Sequence, residues 1–191
     1  RDDVESRGLG DVYKRQVVYV NHLSNYSSKY SVQGNMLVSC GGFSKLKPEL
    51  LITIGGQTGD YPIYGALNGI GNAEHWRVAE DGAFMDTYGK LTKIFECPDY
   101  YFFEKMVSNI FCSHSYFEEW KSMNETMNYN VELPLSNLYV AQLMYKSIPK
   151  NSIMNFAILN SLRCWSYFPL DTTIQCYSNV AAFGIDGCNS M

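Results

Sequence analysis

Two short stretches of this chain carry residues suited to an anionic ligand. In 160-NSL-162, Asn160 and Ser161 offer side-chain and backbone donors where a helix is expected to begin. The unpaired N–H groups of a first helical turn favour negative charge at that place. In 178-SNVAAFGIDG-187, Ala181, Ala182 and Gly184 would let main chain come close to a ligand, beside one bulky aliphatic, Ile185. If both stretches follow strands of one parallel sheet, they share its carboxyl edge, where ligands of α/β folds collect. Plain strand-to-helix turns have the same composition, and spacing alone does not separate a ligand site from such turns.

Other candidate chemistry is weaker. The run 55-GGQTGD-60 also sits between an expected strand and an expected helix, where backbone N–H groups can hold a phosphate. It is not a GxGxxG motif and lacks the acidic partner further along, so a tight turn accounts for it more simply. His22, His75 and His114 fall in three different elements with no second ligand at metal spacing, which makes each a surface or hydrogen-bonded core histidine. No metal site is expected from them. No carboxylate pair has the setting of an acid/base couple, and no Ser or Cys occupies a nucleophile elbow. No catalytic residue is therefore assigned within the chain.

The elements that must position these residues follow from periodicity. The apolar run 17-VVYVNHL-23 reads as a short buried strand, and 48-PELLITIGG-56 as a strand covered on both faces and stopped by two glycines. A helix is expected over 60-DYPIYGALNGI-70 with Asp60 as its cap and Pro62 in its first turn. Strands follow at 75-HWRVAE-80 and 91-LTKIFE-96, then a helix in 99-DYYFFEKMVSNIFC-112 with Asp99 as candidate cap. Residues 113–134 are polar and acidic, as a surface helix and linker would be. A second unit opens at 135-LSNLYVAQLMYKSIP-149, with Ser136 capping a helix whose Leu138, Val140, Ala141, Leu143 and Met144 form an expected buried stripe. Strand 153-IMNFAIL-159, a loop and helix at 160-NSLRCWSYF-168, and strand 173-TIQCYSN-179 complete a βαβ unit that runs into AAFGIDG. Strands alternating with helices predict a parallel α/β protein.

Bulk properties exclude several classes. The net charge of −4 has no basic stripe, which argues against nucleic acid as a partner. No apolar run approaches the ~20 residues of a membrane-spanning helix, so no membrane partner is expected. Six cysteines, at positions 40, 97, 112, 164, 176 and 188, form no CxxC pair. They read as small buried hydrophobes of a reducing cytoplasm, and the sequons at Asn25 and Asn124 as chance matches. Residues 1–16, RDDVESRGLGDVYKRQ, have no period; GLGDVYKRQ resembles translated adaptor sequence, and the expectation is a non-native scar on a fragment.

The order strand, NSL, helix, strand, SNxxxxGIDG resembles the start of the diphosphate-binding domain of thiamine-diphosphate (ThDP) enzymes. Within them it is most similar to the menaquinone-pathway family of 2-succinyl-5-enolpyruvyl-6-hydroxy-3-cyclohexene-1-carboxylate synthases. The resemblance covers about residues 17–191, with its specific part in the last thirty or so. It implies a Rossmann-like central α/β domain over 17–125 and, over 126–191, the truncated start of the diphosphate-binding domain. Asn160 and Ser161 then match the loop touching the cofactor's diphosphate. The Phe183 carbonyl matches the acceptor for the aminopyrimidine, Gly184 keeps that approach open, and Ile185 matches the aliphatic residue that bends the cofactor. The implied reaction is decarboxylation of a 2-oxoacid and transfer of the resulting acyl-carbanion equivalent to a small-molecule acceptor. The resemblance also implies Mg²⁺ and an activating glutamate, both held outside this chain, and a homodimer or homotetramer. The fragment alone is expected to be inactive.

Two positions depart from that family. Val180 and Trp165 stand where it has arginines serving carboxylates, and Arg163, the candidate substrate-binding residue here, is two positions out of register. A guanidinium fork is not replaced by Val or Trp, so the acceptor is expected to differ from isochorismate. Two alternatives from different classes stay open: a nucleotide- or sugar-nucleotide-binding module using GGQTGD, and a non-catalytic α/β scaffold.

Overall fold

The computed structural model describes residues 16–56, 61–106, 114–157 and 159–178. The elements run β1 (Val18–Tyr19), β2 (Ser31–Val32), α1 (Asn35–Ser39), β3 (Leu50–Ile54), α2 (Tyr61–Asn68), β4 (Glu74–Val78) and β5 (Leu91–Phe95). They continue with α3 (Asp99–Met106), α4 (His114–Glu125), α5 (Asn137–Met144), β6 (Ile153–Phe156), α6 (Asn160–Trp165) and β7 (Gln175–Ser178). Every strand pair among the described residues is parallel, in sheets ordered β1–β2, β3–β4–β5 and β6–β7. The protein is of the α/β class, as the alternation of strands and helices predicts.

The middle sheet shows why its sequence reads as it does. Alternate residues of a strand face opposite sides. In β3, Leu51 packs into the cluster holding Ile63 and Leu67 of α2, while Ile52 packs with Phe102 and Phe103 of α3. Helices thus cover both faces, and a continuous apolar run is what that requires. The strand stops at Gly55, whose φ of 78° suits a residue without Cβ. On β4, His75 and Arg77 are buried and share one side. Arg77 is neutralised by a two-bond fork to Asp81 at 2.8 and 3.2 Å, which holds the Asp81 carboxyl below its usual range.

Three expectations need correction. Helix α4 is more than a polar surface helix: many of its residues are exposed, but Phe117 and Trp120, three positions apart, are buried in the larger core with Leu37, Phe43 and Leu46. Trp120 meets Tyr19, Phe43 and Tyr116 edge-on, and the Tyr116 hydroxyl donates to the Leu46 carbonyl at 2.7 Å. The expected stripe of α5 is mostly outside: Val140, Leu143 and Met144 are exposed, and only Ala141 is fully buried, with Leu138 packed beside it. That helix touches α6 and Phe168 along one edge, through Ala141 and the following Tyr145. Finally, the strand expected at 17–23 is two half-buried residues long, and His22–Ser24 forms a 3₁₀ turn.

Most boundaries agree with expectation. The Ser136 hydroxyl accepts from the Tyr139 N–H at 3.2 Å and caps α5. Asp99 is the first residue of α3 rather than a residue before it, and its carboxylate accepts from the Tyr100 N–H. Cys176 is buried, whereas Cys40 is exposed at the end of α1 and is no core hydrophobe.

Candidate functional site

The unit β6–α6–β7 sets Phe156 opposite Ser178 in register, so the carboxyl ends of β6 and β7 lie side by side. The chain then turns sharply at Leu159, whose φ of 75° and ψ of −112° are costly for a side chain with a Cβ. This turn starts α6 at Asn160. The Leu162 N–H donates to the Ala157 carbonyl at 3.2 Å, and the Arg163 N–H to the Leu159 carbonyl at 2.9 Å. Leu162 is buried against Phe156, Ile174 and Cys176 and fixes the helix on the sheet. Asn160 is exposed and Ser161 half-buried, and neither side chain hydrogen-bonds within the described residues. At the end of β7 the Ser178 hydroxyl is buried without a hydrogen-bond partner among the described residues. Two free polar side chains and one orphaned hydroxyl therefore gather at one sheet edge, a setting that fits a polar ligand group.

Arg163 lies one turn along α6. Its guanidinium carbon is 3.9 Å from the centroid of the Tyr61 ring, and its Nε is buried without a hydrogen bond. Tyr61 opens α2, so this contact joins the first turn of α2 to α6. Sequence reasoning does not find Tyr61. No local pattern links positions so distant in the chain, and a tyrosine beside Pro62 carries no signature of its own.

The N-terminal segment holds this unit from the other side. The Asn25 side chain accepts from the Cys176 N–H at 2.6 Å and donates to the Cys176 carbonyl at 2.8 Å, which gives β7 the bonds a neighbouring strand would give. Its amide is thus committed to the sheet. His22 Nε2 lies 2.9 Å from the Trp165 carbonyl, and its ring stacks on Phe156. Burial lowers the His22 pKa, partly opposed by the backbone carbonyls it meets. His75 pairs with the Thr53 hydroxyl at 2.8 Å, and burial likewise lowers its pKa. Both are core histidines. Among the described residues no three His, Cys, Asp or Glu side chains gather as a metal site would need.

Of the residues singled out in the sequence, Asn160, Ser161 and Arg163 are together on α6. Phe183, Gly184 and Ile185 lie outside the described residues, as do residues 57–60 of GGQTGD. No helix among the described residues is long and apolar enough to cross a membrane.

Fold and junction together define a parallel α/β protein whose candidate ligand groups follow the carboxyl ends of its strands. No family model matches the chain. Among curated proteins, it is 29% identical over 154 residues to the 2-succinyl-5-enolpyruvyl-6-hydroxy-3-cyclohexene-1-carboxylate synthase of Flavobacterium psychrophilum, covering 78% of this chain and 28% of that protein. The synthase of the same name from Christiangramia forsetii is 30% identical over 151 residues, 76% of this chain and 26% of its own. That from Bacteroides fragilis is 25% identical over 185 residues, 92% of this chain and 33% of its own. The chain is thus related to these synthases over most of its length, and it spans between a quarter and a third of theirs.

Proposed function

We propose that this chain is part of a ThDP-dependent enzyme that decarboxylates a 2-oxoacid and transfers the acyl-carbanion equivalent to an acceptor. The observation that carries the reading is the parallel β6–α6–β7 unit with Asn160 and Ser161 at its edge, in a chain related to synthases of the name given above. Residues 17–125 form the central domain in this reading, and 126–191 open the diphosphate-binding domain. Bound ThDP supplies a carbanion at its thiazolium ring, the chemistry that 2-oxoacid decarboxylation needs. Asn160 and Ser161 would hold its diphosphate, beside the end of β7 where the Ser178 hydroxyl is buried without a partner among the described residues. The Phe183 carbonyl, Gly184 and Ile185 would hold its ring portion, with Ile185 supplying the enforced proximity that the chemistry needs.

Arg163 binds a substrate carboxylate. Its guanidinium makes no ion pair with a described residue, and Val180 and Trp165 offer no fork of their own. An acceptor other than isochorismate follows from that difference. Mg²⁺, the activating glutamate and a homo-oligomeric, cytoplasmic enzyme belong to the whole protein in this reading; the 191-residue chain by itself turns nothing over.

The test is made on the complete reading frame that contains this chain. Its product, supplied with ThDP and Mg²⁺, should release carbon dioxide from a member of a 2-oxoacid panel, and Ser161→Ala together with Asn160→Ala should raise the ThDP concentration needed. Carbon dioxide release that ignores ThDP, or none from any 2-oxoacid, would overturn the reading.

A further inference from the structure

The contact between Tyr61 and Arg163 joins two elements that each begin just after a strand, α2 after β3 and α6 after β6. A guanidinium carbon 3.9 Å from a ring centroid is too close for an edge approach, so the cation lies on the ring face. That face attracts the charge but accepts no in-plane hydrogen bond. Arg163 Nε is buried and unpartnered, and no described carboxylate pairs with the guanidinium; the ion pairs among the described residues involve Arg77, Lys93, Lys105 and Lys150. A desolvated charged donor left without an acceptor is costly in any fold. The same arrangement is well suited to a receptor, because the five N–H donors of a guanidinium lie in one plane and match the two oxygens of a carboxylate. The ring fixes that plane, and the Arg163 side chain is half-buried rather than enclosed, so a ligand can meet the rest of the fork.

We infer that Tyr61 is a positioning residue that holds the Arg163 fork toward a ligand carboxylate at the junction of the two units. The inference rests on the reading of Arg163 as a substrate-carboxylate-binding residue, and it adds a second residue, Tyr61, that orients the fork. Tyr61 works through its ring face, so its hydroxyl is dispensable. The side chain is half-exposed, at 49%, which makes its replacement compatible with folding.

The experiment uses the product of the complete reading frame that contains this chain, without cofactor and labelled with ¹⁵N-arginine, and follows the Arg163 Nε–H resonance, assigned by its loss in Arg163→Lys. Sodium succinate is the probe, with sodium chloride at matched ionic strength and succinamide as controls. The expected result is a saturable shift with succinate alone, retained within about twofold in Tyr61→Phe and weakened about fivefold in Tyr61→Ala, the size of a half-exposed cation–π contact. No saturable shift, an equal shift with chloride, or equal affinity in Tyr61→Ala and wild type would each overturn the inference. A persistent succinate shift beside ThDP-independent behaviour of the complete protein would sink the cofactor reading and leave this one standing.

Discussion

Replacing Asn25 by alanine should destabilise the chain far more than its place in a turn suggests. Asn25 has a φ of 47°, left-handed, and its amide makes two bonds to the backbone of Cys176, at 2.6 and 2.8 Å. Cys176 is 3% exposed, so water cannot easily take over those bonds. Leaving a buried donor and acceptor unsatisfied costs about 1–3 kcal/mol in all once partial relaxation is allowed. Alanine in the left-handed region adds about 1–2 kcal/mol. The expected loss in Asn25→Ala is therefore about 3 kcal/mol, read as a fall in the urea midpoint at unchanged slope. Asn25→Gly removes the backbone term and should lose about 1 kcal/mol less. Hydrogen exchange at the Cys176 amide should quicken in both variants. Equal losses for alanine and glycine would refute the strain argument. A loss below about 0.5 kcal/mol with unchanged Cys176 protection would refute the pairing itself.

Trp120→Ala should lose about 3–5 kcal/mol by urea denaturation, because the ring fills the space between Tyr19, Phe43 and Tyr116; a loss below about 1 kcal/mol would return α4 to the surface. The histidines set a pH trend. Burial holds the pKa of His22 and of His75 below the unfolded value of 6.5, so below that pH the unfolded chain binds more protons and the fold loses stability. Stability should fall from about pH 7.5 to about 5.5, less steeply in His75→Gln; the depressed carboxyls of Asp81 and Asp171 act only at lower pH, near and below their ordinary range. A flat or rising profile over that window would contradict the assignment. A Cβ on Gly56 meets nothing within 4 Å, so Gly56→Ala should leave both stability and ThDP affinity of the complete protein unchanged. A specific loss of ligand binding in that variant would favour a nucleotide site at GGQTGD.

Legibility in the sequence follows the range of the interactions. Strands β3 and β4, the cap at Ser136 and the β6–α6–β7 unit rest on local patterns, namely apolar runs, a hydroxyl before a helix and turns between them, and each can be read from the residues alone. Helix α4 misleads because two large aromatics, Phe117 and Trp120, carry its burial while Glu118, Glu119 and Lys121 dominate its composition. Helix α5 misleads the opposite way: five apolar positions promise a stripe, and only an edge of the helix finds a neighbour among the described residues. Of the candidate site, the local groups Asn160 and Ser161 can be named in advance. Tyr61 against Arg163, and Asn25 against Cys176, are meetings of distant segments that no spacing encodes.

The most direct measurement is calorimetric titration of ThDP, with Mg²⁺ present, into the product of the complete reading frame and into its Ile185→Ala variant, each followed by carbon dioxide release from the 2-oxoacid it prefers. Binding of the coenzyme by both proteins, with decarboxylation at least about a hundredfold slower in the variant, is the expected result, since enforced proximity of the two rings is the larger part of what Ile185 provides. No binding by the wild type, or full activity without Ile185, would contradict the account.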